Sequence, residues 1–428
     1  MRLSGSLSIA IAKKLTNRSS FKPRYATLCN IYTNNNEIID EAIVIYFKAP
    51  YSFTCEDVIE FQCHGGIMVS SMILDECLKE GARASEAGEF TKRAVLNGRI
   101  DLTRAEAAAK LIESKSIDSA KILSRQLKGE LQQFVDKLRN DLVEILAFIE
   151  VNIDYAEEDL PLDLLTQIND RLTNIKILLE NTLETSKSRE GLIDGFKVSI
   201  IGKPNVGKSS LLNALLKYDR AIISPIAGTT RDTIEESLKI GTHLVKFVDT
   251  AGIRDAHESI EKIGIEKSIE AIEEADIVIA LFDGSQKIDQ DDEKIIKLLE
   301  NYKSSKKIIV AINKSDLEKK IISKELDASE IIEISCKENI QAIKDTISSL
   351  LYYESLADDL ILISKRQIDE VTGALNYIDE SFSFLKDGEL ELFAFNINES
   401  IKHIASITIG FERSEILDKM FGSFCLGK

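Results

Sequence analysis

Tryptophan is absent from this chain, and proline (5), histidine (4) and methionine (4) are scarce. No internal repeat or low-complexity tract stands out, which excludes a repeat array. The six cysteines (Cys29, Cys55, Cys63, Cys77, Cys336 and Cys425) include no C-x-x-C pair. They read as reduced thiols, not as a disulfide or zinc framework. The four histidines lack close spacing, which argues against a transition-metal centre. There is no run of about 18 apolar residues and no cleavable signal pattern, so the expected location is the cytoplasm, with no membrane partner. Positive charge is also in deficit: 54 Lys and Arg stand against 71 Asp and Glu, a net charge of −17. That balance argues against broad electrostatic binding of nucleic acid. Any RNA contact needs a local basic patch or a partner protein.

Against these absences stands a complete phosphate-loop motif. Residues 202–209 read Gly202-Lys203-Pro204-Asn205-Val206-Gly207-Lys208-Ser209, a G-x-x-x-x-G-K-S pattern. An apolar, strand-like run from Phe196 to Ile201 precedes it, and a helix-like run from Ser210 to Lys217 follows. The glycines let backbone N–H groups close around phosphates, and the helix N-terminus adds a positive dipole end. Lys208 can reach the β- and γ-phosphates, and the Ser209 hydroxyl can bind Mg²⁺. Gly228-Thr229-Thr230-Arg231-Asp232 supplies Thr230 as a second Mg²⁺ ligand, the alternative being an ordinary polar loop.

Three further motifs follow in chain order, each closing an apolar run. Asp249-Thr250-Ala251-Gly252 ends the run Leu244 to Val248, and suits the Mg²⁺ shell and the γ-phosphate. Asn313-Lys314-Ser315-Asp316 ends the run Lys307 to Ile312. The Asp316 carboxylate can accept from N1–H and the N2 amine of guanine, a donor pair that adenine lacks. Ser335-Cys336-Lys337 ends the run Ile331 to Ile334 and would back the base. Candidate GTP contacts are therefore Asn205, Val206, Gly207, Lys208, Ser209 and Ser210, then Ser224, Pro225, Ile226, Ala227, Gly228, Thr229 and Thr230. Asp249, Thr250, Ala251, Gly252, Asn313, Lys314, Asp316, Ser335, Cys336 and Lys337 complete the set. Ile253 occupies the position where Ras-like enzymes carry a water-orienting Gln. Asp255, Glu258 and Glu261 are the acidic candidates for that task.

The 428 residues allow two or three domains. Residues 1–97 mix strand-like runs (Ala42 to Phe47, Val58 to Cys63) with a helix-like run from Gly66 to Lys79. From Asp101 the spacing turns helical. Leu131, Val135, Leu138, Leu142, Ile145 and Ile149 form one apolar stripe, and Ile168, Leu172, Ile175, Leu179 and Leu183 another. Helical spacing returns with Ile368, Val371, Leu375, Ile378 and Phe382. Gly191 to Gly195 predicts a hinge. The expected fold class is multi-domain α/β: a phosphate-loop GTPase domain inserted into an all-α helical domain, preceded by a small α+β domain. The boundaries are 1–97, 98–194, 195–356 and 357–428.

The chain as a whole closely resembles the tRNA-modification GTPase family called MnmE or TrmE. The resemblance rests on the phosphate loop, Gly228 to Asp232, Glu56-Asp57-Val58-Ile59-Glu60, Cys63-His64-Gly65-Gly66, Gly88-Glu89-Phe90-Thr91 and the ending Phe424-Cys425-Leu426-Gly427-Lys428. It implies a homodimer with an N-terminal folate-binding domain. It also implies that the MnmG (GidA) flavoprotein is a partner in a heterotetramer, with FAD on that partner. The implied reaction places an aminomethyl or carboxymethylaminomethyl group at C5 of the wobble uridine of tRNA. The one-carbon unit would come from 5,10-methylenetetrahydrofolate or 5-formyltetrahydrofolate. By the same resemblance, K⁺ is held by the Asn205 side chain and the carbonyls of Ser224, Ile226 and Thr229, and Glu261 orients the attacking water. Arg2, Glu60, Arg99 and terminal Lys428 match the folate positions, although a structural ion pair is the plain alternative for Glu60 and Arg99. Cys425 is either a catalytic thiol or a small buried hydrophobe. Arg231 and Arg254 suit interface or structural roles. A ribosome-assembly or RNA-binding switch GTPase shares the nucleotide motifs, but no basic RNA-binding tail is present. A membrane-remodelling GTPase would require an amphipathic basic or transmembrane segment. Family members begin about twenty residues earlier, which predicts a poorly anchored Arg2 and weakened folate binding and dimerisation.

Overall fold

A computed structural model describes residues 1–154, 162–219, 236–248, 269–322, 326, 331–355 and 359–409. Two compact units form: Met1–Lys110, Arg125–Leu179 and Ser364 onward in the first, Leu111–Ser124 and Glu180–Ile363 in the second.

The first unit opens with strand β1 (Arg2–Ser4), helix α1 (Ser8–Thr16), and strands β2 (Thr27–Tyr32), β3 (Ile38–Phe47) and β4 (Val58–Gln62). The sheet is antiparallel in the order β1-β4-β3-β2. Alternation along β3 buries Ala42, Val44 and Tyr46 on one face, where they meet Ile11 and Leu15 of α1. Helices α2 (Ile67–Lys79) and α3 (Glu89–Leu96) complete an α+β domain. Arg2 is not a loose terminus. It pairs in register with Glu60, and the Met1 amino group donates to the Phe61 carbonyl at 2.7 Å. Antiparallel pairing supplies the anchoring that the sequence alone did not show.

Helices α4 (Leu102–Glu113), α5 (Ile117–Leu127), α6 (Glu130–Asp154) and α7 (Leu162–Ser188) follow. The chain ends, within its described part, on α12 (Lys365–Asp387) and α13 (Leu390–Thr408). Every member of both predicted stripes on α6 and α7 is buried. Each such side chain contributes on the order of 1.5–3 kcal/mol. On α12 the buried face differs from the predicted one. It runs through Gln367, Val371, Ala374, Ile378, Ser381 and Leu385. Small residues are selected because α13 lies close: a Cβ on Gly373 would stand 2.7 Å from the His403 ring. Buried Glu106 ties this unit together, accepting from Arg366 Nε at 2.8 Å and Gln367 Nε2 at 2.6 Å.

The second unit carries α8 (Glu190–Asp194), β5 (Phe196–Ile201), α9 (Lys208–Asp219), β6 (Glu236–Ile240), β7 (His243–Phe247) and β8 (Ile277–Asp283). Helix α10 (Gln290–Glu300), β9 (Lys307–Asn313), β10 (Ile331–Glu333) and α11 (Gln341–Ser355) complete it. Its sheet has the order β10-β9-β8-β5-β7-β6, parallel except for the β6–β7 hairpin. Strand β8 is buried along its full length, as a central parallel strand covered on both faces must be. The segment expected to be a hinge holds the helical turn α8, capped by Gly195 at φ 95°. Gly191 packs against Phe196 there, and a Cβ would sit 2.4 Å from the ring.

Candidate nucleotide site

The parallel topology brings the carboxyl ends of β5, β8, β9 and β10 to one edge, where open α/β sheets bind ligands. The phosphate loop leaves β5 at Gly202 and enters α9 at Lys208. Two of its glycines are required by space. A Cβ on Gly202 would lie 2.4 Å from the Leu281 carbonyl oxygen, and one on Gly207 would lie 2.3 Å from Asn313 Nδ2. Asn205 is exposed and left-handed at φ 66°, and Val206 is fully buried beneath it. The Lys208 ammonium donates to the carbonyls of Gly202 at 2.6 Å and Lys203 at 2.9 Å. Burial pulls its pKa below the ordinary lysine value. A desolvated cation whose described acceptors are two carbonyls suits an anionic group such as a phosphate. Ser209 opens the same helix, and its hydroxyl is a hard donor of the kind Mg²⁺ takes.

Asn313 joins three of the motifs. Its Nδ2 donates to the Val206 carbonyl at 2.8 Å, and its Oδ1 accepts from the Cys336 N–H at 3.1 Å. The Ser335 hydroxyl donates to Asp316 Oδ1 at 2.9 Å, while Asp316 itself is exposed. The predicted guanine-reading carboxylate is thus oriented from the neighbouring strand end and presented to solvent. Burial and the nearby Asp316 charge push the Cys336 thiol up to about 11, so it stays neutral. Lys337 is exposed.

Two supporting contacts escaped the sequence reading. Lys314, left-handed at φ 65°, donates to Asp283 Oδ2 at 2.5 Å. Burial pushes the Asp283 carboxyl up, but Lys314 and two Ser285 donors outweigh it and hold the carboxyl below its ordinary value. Asp283 closes strand β8, so the strand-end rule that located the other motifs would have found it. Lys203 is the second addition. Its Nζ donates to Asp289 Oδ2 and Asp292 Oδ2, both at 2.7 Å. Those carboxylates form the capping box of α10. The Lys203 bond leads the causes that bring Asp289 down to about 2. Only distance in sequence concealed this latch.

Ser224, Pro225, Ile226, Ala227, Gly228, Thr229, Thr230, Asp249, Thr250, Ala251, Gly252 and Glu261 lie outside the described residues, as do Cys425 and Lys428. The described folate candidates are in the first unit. Arg2 and Glu60 form an ion pair at 3.0 Å, and the Arg2 guanidinium lies 5.5 Å from the Phe53 ring centroid and 5.7 Å from that of Phe90. Arg99 is exposed.

Comparison with known proteins agrees with this geometry. Residues 1–99 match the family model described as GTP-binding protein TrmE N-terminus, and residues 102–425 match that described as MnmE helical domain. A tRNA modification GTPase MnmE of Sulfurimonas denitrificans is 58% identical over 428 residues, covering 100% of this chain and 96% of that protein. Its namesake in Aliarcobacter butzleri is 57% identical, covering 100% and 95%. The one from Campylobacter jejuni is 48% identical, covering 100% and 96%. A solved structure of Era in complex with MgGDPNP and a stretch of 16S ribosomal RNA is 27% identical over 42% of this chain and 66% of that one. Its TM-score of 0.28 is too low to bear on the fold. With both family models matched and such identity over its full length, the chain belongs to the MnmE family of tRNA modification GTPases.

Proposed function

We propose that this chain is a K⁺-activated GTP hydrolase. Its cycle serves the addition of an aminomethyl or carboxymethylaminomethyl group at C5 of the wobble uridine in certain tRNAs. The observation that carries the nucleotide part is the Ser335–Asp316–Asn313 arrangement built over the phosphate loop. It offers a guanine-reading carboxylate and a phosphate cradle on one sheet edge. Lys208 leaves its two carbonyl acceptors for the β- and γ-phosphates. Ser209 and Thr230 hold Mg²⁺. Asn205 and the carbonyls of Ser224, Ile226 and Thr229 hold K⁺. Held by these residues, such cations would supply positive charge against the charge that develops on the transferring phosphoryl group. Glu261 orients the attacking water, the task a Gln performs in Ras-like enzymes.

The finer assignments follow the same reading. Residues 1–97 form a folate-binding and dimerising domain, 98–194 and 357–428 the helical domain, and 195–356 the inserted GTPase domain. Arg2, Glu60, Arg99 and Lys428 bind the folate, and Cys425 serves the modification chemistry as a thiol. The homodimer works in the cytoplasm with the flavoprotein MnmG, which carries FAD. Mass spectrometry of tRNA nucleosides from a strain lacking the chain tests this. Loss of the C5-modified wobble uridine, restored by the intact chain, is the expected result. An unchanged nucleoside profile would overturn it.

A further inference from the structure

The first 36 residues hold six basic side chains and no aspartate or glutamate, in a chain of net charge −17. The structure places part of this excess beside the start of β2 and the turn after β3. Arg18, just past α1, donates to the Leu28 carbonyl at 3.4 Å. The Lys22 ammonium stands 5.7 Å from the Tyr25 ring centroid. The Arg24 N–H donates to the Tyr46 carbonyl at 2.7 Å, and its guanidinium to the Tyr51 carbonyl at 3.1 Å. Lys48 lies on the same turn as Tyr51, whose N–H donates to the Lys48 carbonyl at 2.9 Å. These residues form a strip that follows the entry to β2 and the turn after β3.

Five other basic side chains of this domain, unlike those of the strip, have carboxylate partners. Lys14 pairs with Glu80, Lys79 with Glu76, Arg83 with Glu89, Arg93 with Glu56 and Glu89, and Arg2 with Glu60. Among the described residues, Arg18, Lys22, Arg24 and Lys48 have no carboxylate partner, and all four are exposed or half-buried. Between them Tyr25 is 59% exposed and Tyr51 74% exposed. Cations without carboxylates suit phosphates, and exposed aromatic faces suit unstacked bases.

We infer that this strip is a contact surface for RNA; on the family reading proposed above, the RNA is tRNA. The cations take backbone phosphates, and Tyr25, steadied by Lys22, offers its free face to a base.

The test measures binding of an unmodified tRNA transcript to the full chain across a range of KCl concentrations. The double variant Arg18→Ala with Lys22→Ala should bind about tenfold more weakly or worse. Its log–log salt slope should fall by about one for each phosphate that is no longer neutralised. Arg18→Lys with Lys22→Arg should retain both. Tyr25→Ala should weaken binding severalfold with the slope unchanged, and Tyr25→Phe should not. GTP turnover, housed in the other unit, should be equal in all variants and reports intact folding there. Wild-type binding that every variant retains, in affinity and slope, overturns the surface. So does a change in subunit association without a change in tRNA affinity, which would make the strip a protein interface. A strain that loses the wobble modification on deletion but keeps it fully with Arg18→Ala and Lys22→Ala leaves the family reading standing and removes this surface. Absence of wild-type tRNA binding at any salt refutes the surface outright, and nucleoside analysis then judges the family reading separately.

Discussion

Asp316 is an exposed carboxylate steadied by a single buried hydroxyl, that of Ser335. An acceptor so placed meets the paired donors of guanine and leaves adenine without a partner. Asp316→Asn should therefore lower kcat/KM for GTP on the order of 10³-fold or more and raise that for xanthosine triphosphate, whose C2 oxygen meets the new amide. Steady-state rates with the three nucleotides check this; comparable ATP and GTP turnover by the unaltered chain would refute it. Lys203 acts at the same scale but through position. Its carbonyl is gripped by Lys208 and its ammonium by the two aspartates at the start of α10. Lys203→Met leaves a nearly buried Asp292 without its cation. It should raise KM for GTP about tenfold with kcat within about twofold, and lower unfolding stability by about 1–3 kcal/mol. Lys203→Arg should recover most of both. A variant with unchanged KM would show that the latch does not shape the loop.

At the scale of elements, α3 is held to the N-terminal domain by charge. Glu89 accepts from Arg83 and Arg93, and Arg93 also donates to Glu56 at 2.8 Å. The Arg83 bond outweighs burial and, with Arg93 and the Glu86 N–H, brings the Glu89 carboxyl down from 4.5 to about 2. A carboxyl with a depressed folded-state pKa stabilises the fold above its unfolded value. That stability is lost as pH falls from about 4.5 to about 2. The amount is about 2 kcal/mol, allowing for solvent around the exposed Arg83. Glu89→Gln should thus destabilise the domain at pH 7 and flatten its acid dependence. Chemical denaturation of the two forms at pH 7 and pH 3 measures it. Parallel losses in both forms would assign the acid sensitivity elsewhere.

The whole molecule separates its candidate chemistries. The phosphate loop and Asp316 belong to the second compact unit, whereas Arg2 and Glu60 belong to the first. Glu60→Ala removes the partner of Arg2 and should abolish 5-formyltetrahydrofolate binding while GTP hydrolysis stays within about twofold, because the altered group lies outside the nucleotide site. Calorimetry with folate and a phosphate-release assay, run on the same preparation, decide this. A parallel loss of both activities would show that the units do not act separately. The cation response tests the other unit. Turnover should rise strongly when K⁺ replaces Na⁺, and Asn205→Ala should remove much of that rise. Equal rates in the two salts would refute K⁺ activation.

Local motifs carried the described part of the candidate nucleotide site in the sequence. A phosphate loop, an Asn-Lys-x-Asp and a Ser-Cys-Lys each lie within a few residues at the end of an apolar run. Backbone geometry there is dictated locally, by glycines and by strand-to-helix succession. The stripes on α6 and α7 were legible for the same reason, since helical period alone sets which face is buried. What needed tertiary structure were pairings between groups distant in the chain. Asp283 meets Lys314 and Lys203 meets Asp289 and Asp292 only once parallel strands align their carboxyl ends. The buried face of α12 moved to Ala374 and Ser381 because the close approach of α13 rewards small side chains over apolar ones. Arg2 became a strand residue because β4 offers it a partner 58 positions away. Composition placed the whole chain far on the acidic side. Folding decided which cations are cancelled by carboxylates and which are left facing water, because pairing depends on distance in space and not on distance along the chain.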